Sequence, residues 1–283
     1  MIATVEYWLF LPQARLTGER IVSLARLAED CGFAGVALID HLVMPLAEHQ
    51  PLYEAMTTAT WVAAHTSTLR LGHLVLCDAL RHPVTLAKQA VTLDHLSGGR
   101  FELGIGWGSW PRELTGFGLV DDDVPRERAR RLTASVETIT RLWAGEPAVE
   151  AGPVQSPRPL GRIPLLVGGV GPTALRLARD HADWWNITAP RLHRLPEVRD
   201  QVAPARISAQ LMVALDRPGE PTGAALARAR ANFPTFSSGI VGGEPARIAE
   251  EIAALDVERL YVWPAPPIEP WAIEAFAALV IPA

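Results

Sequence analysis

Three short stretches carry residue types that chemistry needs, and each stands where an apolar run stops. Asp40-His41 follows GVALI, residues 35–39. A carboxylate and an imidazole directly after a buried strand can bind a cofactor or move protons beside it. The same pair can also form a turn or cap a helix. GIGWG, residues 104–108, ends a second apolar run. Glycines at a strand end let the main chain approach a ligand or another chain closely, although GIGWG lacks the spacing of a dinucleotide fingerprint. Trp107 reads as a stacking platform or as a core plug, and spacing alone leans slightly to the plug. GGVGPT, residues 168–173, follows a third run and opens a helix. Free N–H groups at a helix start favour an anion, and glycines let a phosphate sit close to them. The competing reading is a tight turn. No Walker-type lysine accompanies it, so nucleotide hydrolysis is not expected.

Other chemistries lack their residues. There is no HExxH pattern, no paired zinc ligands and no GxSxG elbow. His65, His73 and His82 fall in or beside regular elements and read as structural, whereas His193 falls in a loop.

Eight apolar runs supply strands to carry such sites: Ala3–Leu11, Gly35–Ile39, Leu69–Cys77, Phe101–Ile105, Ile163–Val167, Trp184–Ile187, Ile207–Leu215 and Arg259–Trp263. Between them lie helical patterns at Gly18–Cys31, Tyr53–His65, Pro83–Leu96, Pro125–Trp143, Thr173–His181, Glu244–Leu255 and Trp271–Val280. Pro83 suits a first helical turn, and Gly32 suits a helix end. Residues 144–162, rich in Pro and Gly, read as a loop. Strand and helix in alternation predict a parallel sheet with helices outside. Eight such units in 283 residues predict one α/β domain over residues 1–283, a single (β/α)8 TIM-like barrel. Barrels of this kind place their active site at the C-terminal ends of the strands, which is where all three stretches lie.

Composition narrows the partners. Hydrophobic residues make up 49%, charged residues 20%, and the net charge is −5. That balance offers no electrostatic footprint for nucleic acid. The basic run RERARR, residues 126–131, reads as a solvated helix face. Two cysteines, Cys31 and Cys77, are too few for a disulfide framework or a metal cluster and suit a reducing cytoplasm. No signal peptide is read at the start. No apolar run reaches the ~20 residues that span a bilayer, so no membrane partner is expected.

Several segments, in order, resemble the bacterial luciferase-like family of flavin and deazaflavin oxidoreductases. RHPVTLAKQAVTLDHLSGGRFELGIGWG looks like its signature region, GFAGVALIDHL its second strand, LRLGHLVL its third. IPLLVGGVGPTALRLARDHADWWNIT looks like its phosphate turn, and SSGIVGGEPARIAEEIAALDVERLYVW its C-terminal segment. The resemblance implies a barrel, usually a homodimer, that binds coenzyme F420 or FMN at the strand ends. It implies a non-prolyl cis peptide at Leu74-Val75, forming a bulge behind the cofactor ring. Asp40 would contact the head group, with His41 beside it as acid/base or electrostatic residue. Cys77, Gly106, Trp107 and Gly108 would line the cofactor. The turn Gly168, Gly169, Val170, Gly171, together with Thr188, would hold the phosphate. Ser97–Arg100 would be a structural turn at the far end of the barrel.

The match departs from the sugar-phosphate dehydrogenases of that family. Ser109 stands where they carry a glutamate, Pro45 where they carry a tryptophan, and no basic pocket is evident. The usual insertions after strands four and seven look trimmed or altered. The resemblance therefore implies an F420-dependent hydride transfer with a small organic substrate other than a sugar phosphate. The alternatives are an FMN-dependent monooxygenase using O2, and a non-catalytic accessory protein.

Overall fold

The computed structural model describes residues 5–45, 47–120 and 124–281; Ala3 and Thr4 of the first expected strand lie outside them. The strands are β1 (Glu6–Phe10), β2 (Gly35–Leu38), β3 (Arg70–His73), β4 (Leu76–Cys77), β5 (Leu103–Gly106), β6 (Leu165–Gly168), β7 (Trp184–Ile187), β8 (Arg206–Ala214), β9 (Ile240–Gly242) and β10 (Arg259–Pro264). The helices are α1 (Gly18–Asp30), α2 (Ala55–Ala63), α3 (Pro83–Ser97), α4 (Pro111–Gly116), α5 (Pro125–Ala144), α6 (Pro172–His181), α7 (Leu195–Val198), α8 (Ala224–Asn232), α9 (Pro245–Ala253) and α10 (Pro270–Val280).

All pairings between these strands are parallel, in the order β3-β2-β1-β10-β8-β7-β6-β5-β4. The ring is drawn together where Leu71 of β3 exchanges main-chain bonds with Arg100 and Glu102, at 2.9 and 2.8 Å. This is the α/β barrel expected, with two differences. The third run is broken into β3 and β4 by a cis peptide at Leu74-Val75. β9 is an addition to the expected strands; it joins β8 on the same edge as β7, further along. At three residues, it is too short to show a pattern. The segments after β5 and β8 hold α4 and α8, neither of which shows in the sequence pattern.

Side chains alternate across the strands with period two. Leu9, Val36, Leu38, Leu165, Val167, Leu211 and Val262 join the larger apolar cluster with the helices. Trp8, Phe10, Ala37, Leu166, Trp184, Met212, Tyr261 and Trp263, at the alternate positions, form the cluster inside the barrel. The strand starts are closed by charge. Arg259 is fully buried there, its guanidinium bonded to Glu6 (2.7 Å) and Glu102 (2.6 Å). It lies 4.4 and 3.7 Å from the ring centroids of Trp8 and Trp184.

At the same end, α3 stops on Gly98 in the left-handed region, with φ 67°. Arg100 then reaches back to the carbonyls of Ala63 (2.9 Å) and Leu69 (2.7 Å). The SGGR turn is therefore structural, as expected. The basic run of α5 is mostly exposed, but Arg131 turns inward to buried Asp78 at 2.9 Å. A solvated face describes only part of that run.

The glycines of GIG have a packing cause. A Cβ on Gly104 would stand 2.1 Å from the His73 carbonyl oxygen, and one on Gly106 would stand 2.9 Å from Val75 Cγ2. Real Cβ atoms do not approach so closely, and main chain cannot step aside as a side chain does. Gly104→Ala is expected to lower unfolding free energy by about 1–3 kcal/mol, the range for overpacking. Urea denaturation checks this; an unchanged midpoint would show that the β3–β5 contact yields freely.

Candidate active site

The strand ends gather the expected residues around one mouth. Asp40, after β2, is buried, and both its oxygens are taken. Oδ2 accepts from Cys77 N (2.8 Å) and Arg81 Nη1 (2.7 Å), and Oδ1 accepts from Arg81 Nη2 (2.8 Å). Arg81 also donates to Glu54, the N-cap of α2. Burial opposes ionisation of Glu54. The Thr57 N–H, Arg81 and the Met56 N–H outweigh it and hold the carboxyl down from 4.5 to about 2. This carboxylate–arginine–carboxylate chain fixes the end of β2 to the bulged third stave.

His41, next in the chain, is half-buried. Its Nδ1 lies 2.9 Å from Glu113 Oε2, and Glu113 Oε1 accepts from Leu42 N (2.6 Å) and Val43 N (3.1 Å). Trp110 stands edge-on to the imidazole, with ring centroids 6.4 Å apart. Among the described residues the Nε2 atom has no partner, so it is free to exchange a proton. Glu113 comes from α4 and is not among the residues the sequence singles out. The Pro at the first turn of PRELTG is the available signal, but six residues show no periodicity.

The other expected residues fall into two groups. Leu74 and Val75 are half-buried at the mouth and pack on the interior cluster. Val75 faces β5 and β6, 2.9 and 3.2 Å from where Cβ atoms on Gly106 and Gly168 would stand. Cys77 is buried beneath Gly108, its sulfur 2.7 Å from a Cβ placed there. Burial pushes its thiol up to about 12, so it stays neutral. On the β6–β7 side, Gly169 N donates to Asn186 O (3.2 Å), and Trp185 Nε1 donates to Gly169 O (2.7 Å). Gly169 has φ 122°, and Gly171 precedes α6 with no side chain capping the helix. Trp107 is half-buried, 3.5 Å from where a Cβ on Gly171 would stand. Thr188 is exposed at the end of β7. Arg194, also absent from the sequence candidates, reaches the turn at Val170 O, 3.5 Å away.

Phe10, Phe233 and Phe236 surround Trp263 at centroid distances of 5.4–5.6 Å and make the opposite wall aromatic. His73 is enclosed below. Burial pushes its pKa down to about 4, and the Asp40 charge and Ala55 main chain pull back only in part. Neither of its ring nitrogens has a partner in hydrogen-bond geometry. His82 caps α3 and His65 bonds Trp61 O (2.8 Å), so these histidines are structural, as expected. No group of described residues has the makings of a metal site.

The family model described as luciferase-like monooxygenase matches residues 8–233. The chain belongs to the luciferase-like monooxygenase family. It is 33% identical over 193 residues to an F420-dependent glucose-6-phosphate dehydrogenase of Microbacterium testaceum (strain StLB037), a match covering 63% of this chain and 57% of that one. The first curated relatives are thus covered over 57–66% of their length. Among solved structures, an F420-dependent secondary alcohol dehydrogenase in complex with an F420-acetone adduct is similar at TM-score 0.80 and 16% identity, covering 98% of each chain. The monooxygenase RslO1 of Streptomyces bottropensis is similar at 0.76 and 20%, covering 97% of each. At these identities the structures speak for the shared fold.

Within this luciferase-like barrel, the acid cluster has a pH signature. The Glu54 pKa is depressed in the folded chain. Its stabilisation is therefore full above about 4.5 and fades as pH falls towards about 2. Glu54→Gln is expected to unfold at lower denaturant than the parent at pH 7, with the gap narrowing across that window. A gap that stayed constant from pH 7 to pH 3 would show that Glu54 contributes nothing through its charge.

Proposed function

We propose that this chain is a one-domain F420-dependent oxidoreductase that moves a hydride between the deazaflavin and a small, uncharged alcohol or carbonyl compound. The observation that carries this reading is His41, held through Nδ1 by Glu113, with Nε2 open. Hydride transfer at a carbonyl carbon needs a proton exchanged at the oxygen, and a positioned imidazole suits that task at neutral pH. The F420 dependence named for the Microbacterium relative supports the cofactor choice.

The residues present fit such a cofactor. The uncapped start of α6, the glycine turn 168–171 and Arg194 suit its phosphate. The hydroxyl of Thr188 lies at the adjoining strand end. Trp107 and the Leu74-Val75 bulge suit its ring and tail. When bound, the deazaflavin supplies the carbon that accepts or gives the hydride. The chain supplies the rest. His41 takes the hydroxyl proton as an alcohol is oxidised and returns it in the reverse direction. Asp40, with both oxygens occupied, acts by holding the loop of Cys77 and Arg81. The aromatic wall excludes water.

A sugar phosphate is not the substrate proposed. Arg81 and Arg131, the arginines nearest Asp40 and Asp78, are each committed to carboxylates, and Ser109 and Pro45 replace the residues expected in such enzymes. The family description favours a second reading, an FMN-dependent monooxygenase. A homodimer remains part of the proposal, with exposed Trp61 on α2 and Leu96 on α3 available for it to cover. So does the cytoplasm, on the strength of two unpaired cysteines. Among the described residues no helix is long and apolar enough to cross a membrane.

Titrating the purified protein with F420 and with FMN, followed by tryptophan fluorescence, tests the cofactor. Quenching by F420 is expected. Quenching by FMN alone would replace this reading with the monooxygenase, and by neither with the accessory protein. His41→Ala is expected to keep cofactor affinity while turnover falls about 10²–10⁴-fold. Undiminished turnover would remove His41 from the chemistry.

A further inference from the structure

We propose that Glu113 is a positioning residue that fixes the tautomer of His41, with the proton on Nδ1 and Nε2 bare. This deepens the reading of His41 as the proton-exchanging group and rests on it for its catalytic meaning.

The two Glu113 oxygens face different partners. Oε1 lies on the main-chain N–H groups of Leu42 (2.6 Å) and Val43 (3.1 Å), which can only donate. Oε2 lies 2.9 Å from His41 Nδ1. The Glu113 side chain is 3% exposed and that of His41 18%. Burial raises the Glu113 pKa, but the His41 bond and the two N–H groups more than offset this and leave it lowered. Glu113 is therefore ionised at neutral pH and accepts only. Nδ1 must then donate. A neutral imidazole has one proton to place, so Nε2 is left unprotonated. Trp110 stands edge-on to the ring, with centroids 6.4 Å apart.

The same geometry dictates what a glutamine would do in the Glu113→Gln variant. The new amide would have one oxygen and one NH2. The oxygen must turn to Leu42 and Val43, because two N–H donors cannot face an NH2. The NH2 would then meet Nδ1, which must become the acceptor, and the proton would move to Nε2. An isosteric change that keeps both loop bonds would thus invert the tautomer. A merely structural glutamate would not have that effect.

Long-range proton–nitrogen NMR of the cofactor-free, histidine-labelled protein reads the tautomer directly. The chain has 8 histidines, and the signal lost in His41→Gln assigns the one of interest. At a pH high enough for the ring to be neutral, the parent is expected with the proton on Nδ1 and Glu113→Gln with it on Nε2. Turnover of Glu113→Gln should fall by up to about 10⁴-fold, the scale seen when a catalytic histidine is held in the wrong tautomer. Thermal midpoint and cofactor affinity should stay near the parent's. An Nε2 proton in the parent overturns the proposal, and that measurement needs no variant to fold. An unchanged tautomer in Glu113→Gln overturns it as well. An inverted tautomer with full turnover upholds the positioning role and overturns the assignment of His41 to proton exchange.

Discussion

The bulge at Leu74-Val75 is the constraint on which the mouth of this barrel depends. Val75 occupies space that neighbouring strands would ordinarily fill with their own side chains. Gly104 and Gly106 on β5 and Gly168 on β6 leave that space open, with Val75 methyl carbons 2.9–3.4 Å from where their Cβ atoms would stand. Interiors are packed near crystal density, so a side chain added on one strand must be matched by one removed on another. The GIG of the motif is the removal. It lets β5 lie against a stave that is split in two, and it brings Trp107, just beyond, to the same rim as the bulge. Sequence spacing left these glycines open between ligand approach and chain approach. The first two serve chain approach.

Charge is divided between the two ends of the barrel according to task. At the strand starts, Arg259 is buried between Trp8 and Trp184 and bonded to Glu6 and Glu102. These charges are consumed by one another, which closes that end. At the strand ends, Arg81 binds Asp40 and Glu54, and Arg131 binds Asp78. These pairs fix loops, and on the proposed reading they leave the His41 imidazole nitrogen to exchange the proton. Beside His41, where the charges of Asp40 and Asp78 are paired, a neutral substrate is the one the proposed reading calls for, because an ion there would lose hydration with little to replace it.

The strands were legible because a parallel barrel buries both faces of each strand and writes it as a continuous apolar run. Seven of the helices were legible from period and from proline and glycine at their ends. What was hidden depends on contacts remote in sequence or on pieces too short to show a pattern. β9 has three residues and α4 has six. Arg131 looked like one of a solvated basic run, yet its partner Asp78 is 53 positions away. Arg81 meets Asp40 across 41 positions. No local rule distinguishes an arginine that will be buried against a carboxylate from one that will face water.

The same reason explains why half of the histidine pair was legible and half was not. Asp40-His41 stands at the end of an apolar run, where barrel topology alone marks it. Glu113 lies 72 positions from His41, seven beyond the end of β5 on a short helix. Ser109, nearer that strand end, drew attention as a missing carboxylate. The barrel shows that a carboxylate does reach the mouth, supplied from α4. A mouth built from loops constrains where a charge must arrive more tightly than which residue delivers it, provided that the delivering loop is itself anchored. Here Glu113 provides the anchor as well, since the oxygen not facing His41 holds the main chain of Leu42 and Val43. One side chain thus orients the imidazole and fixes the loop that carries it.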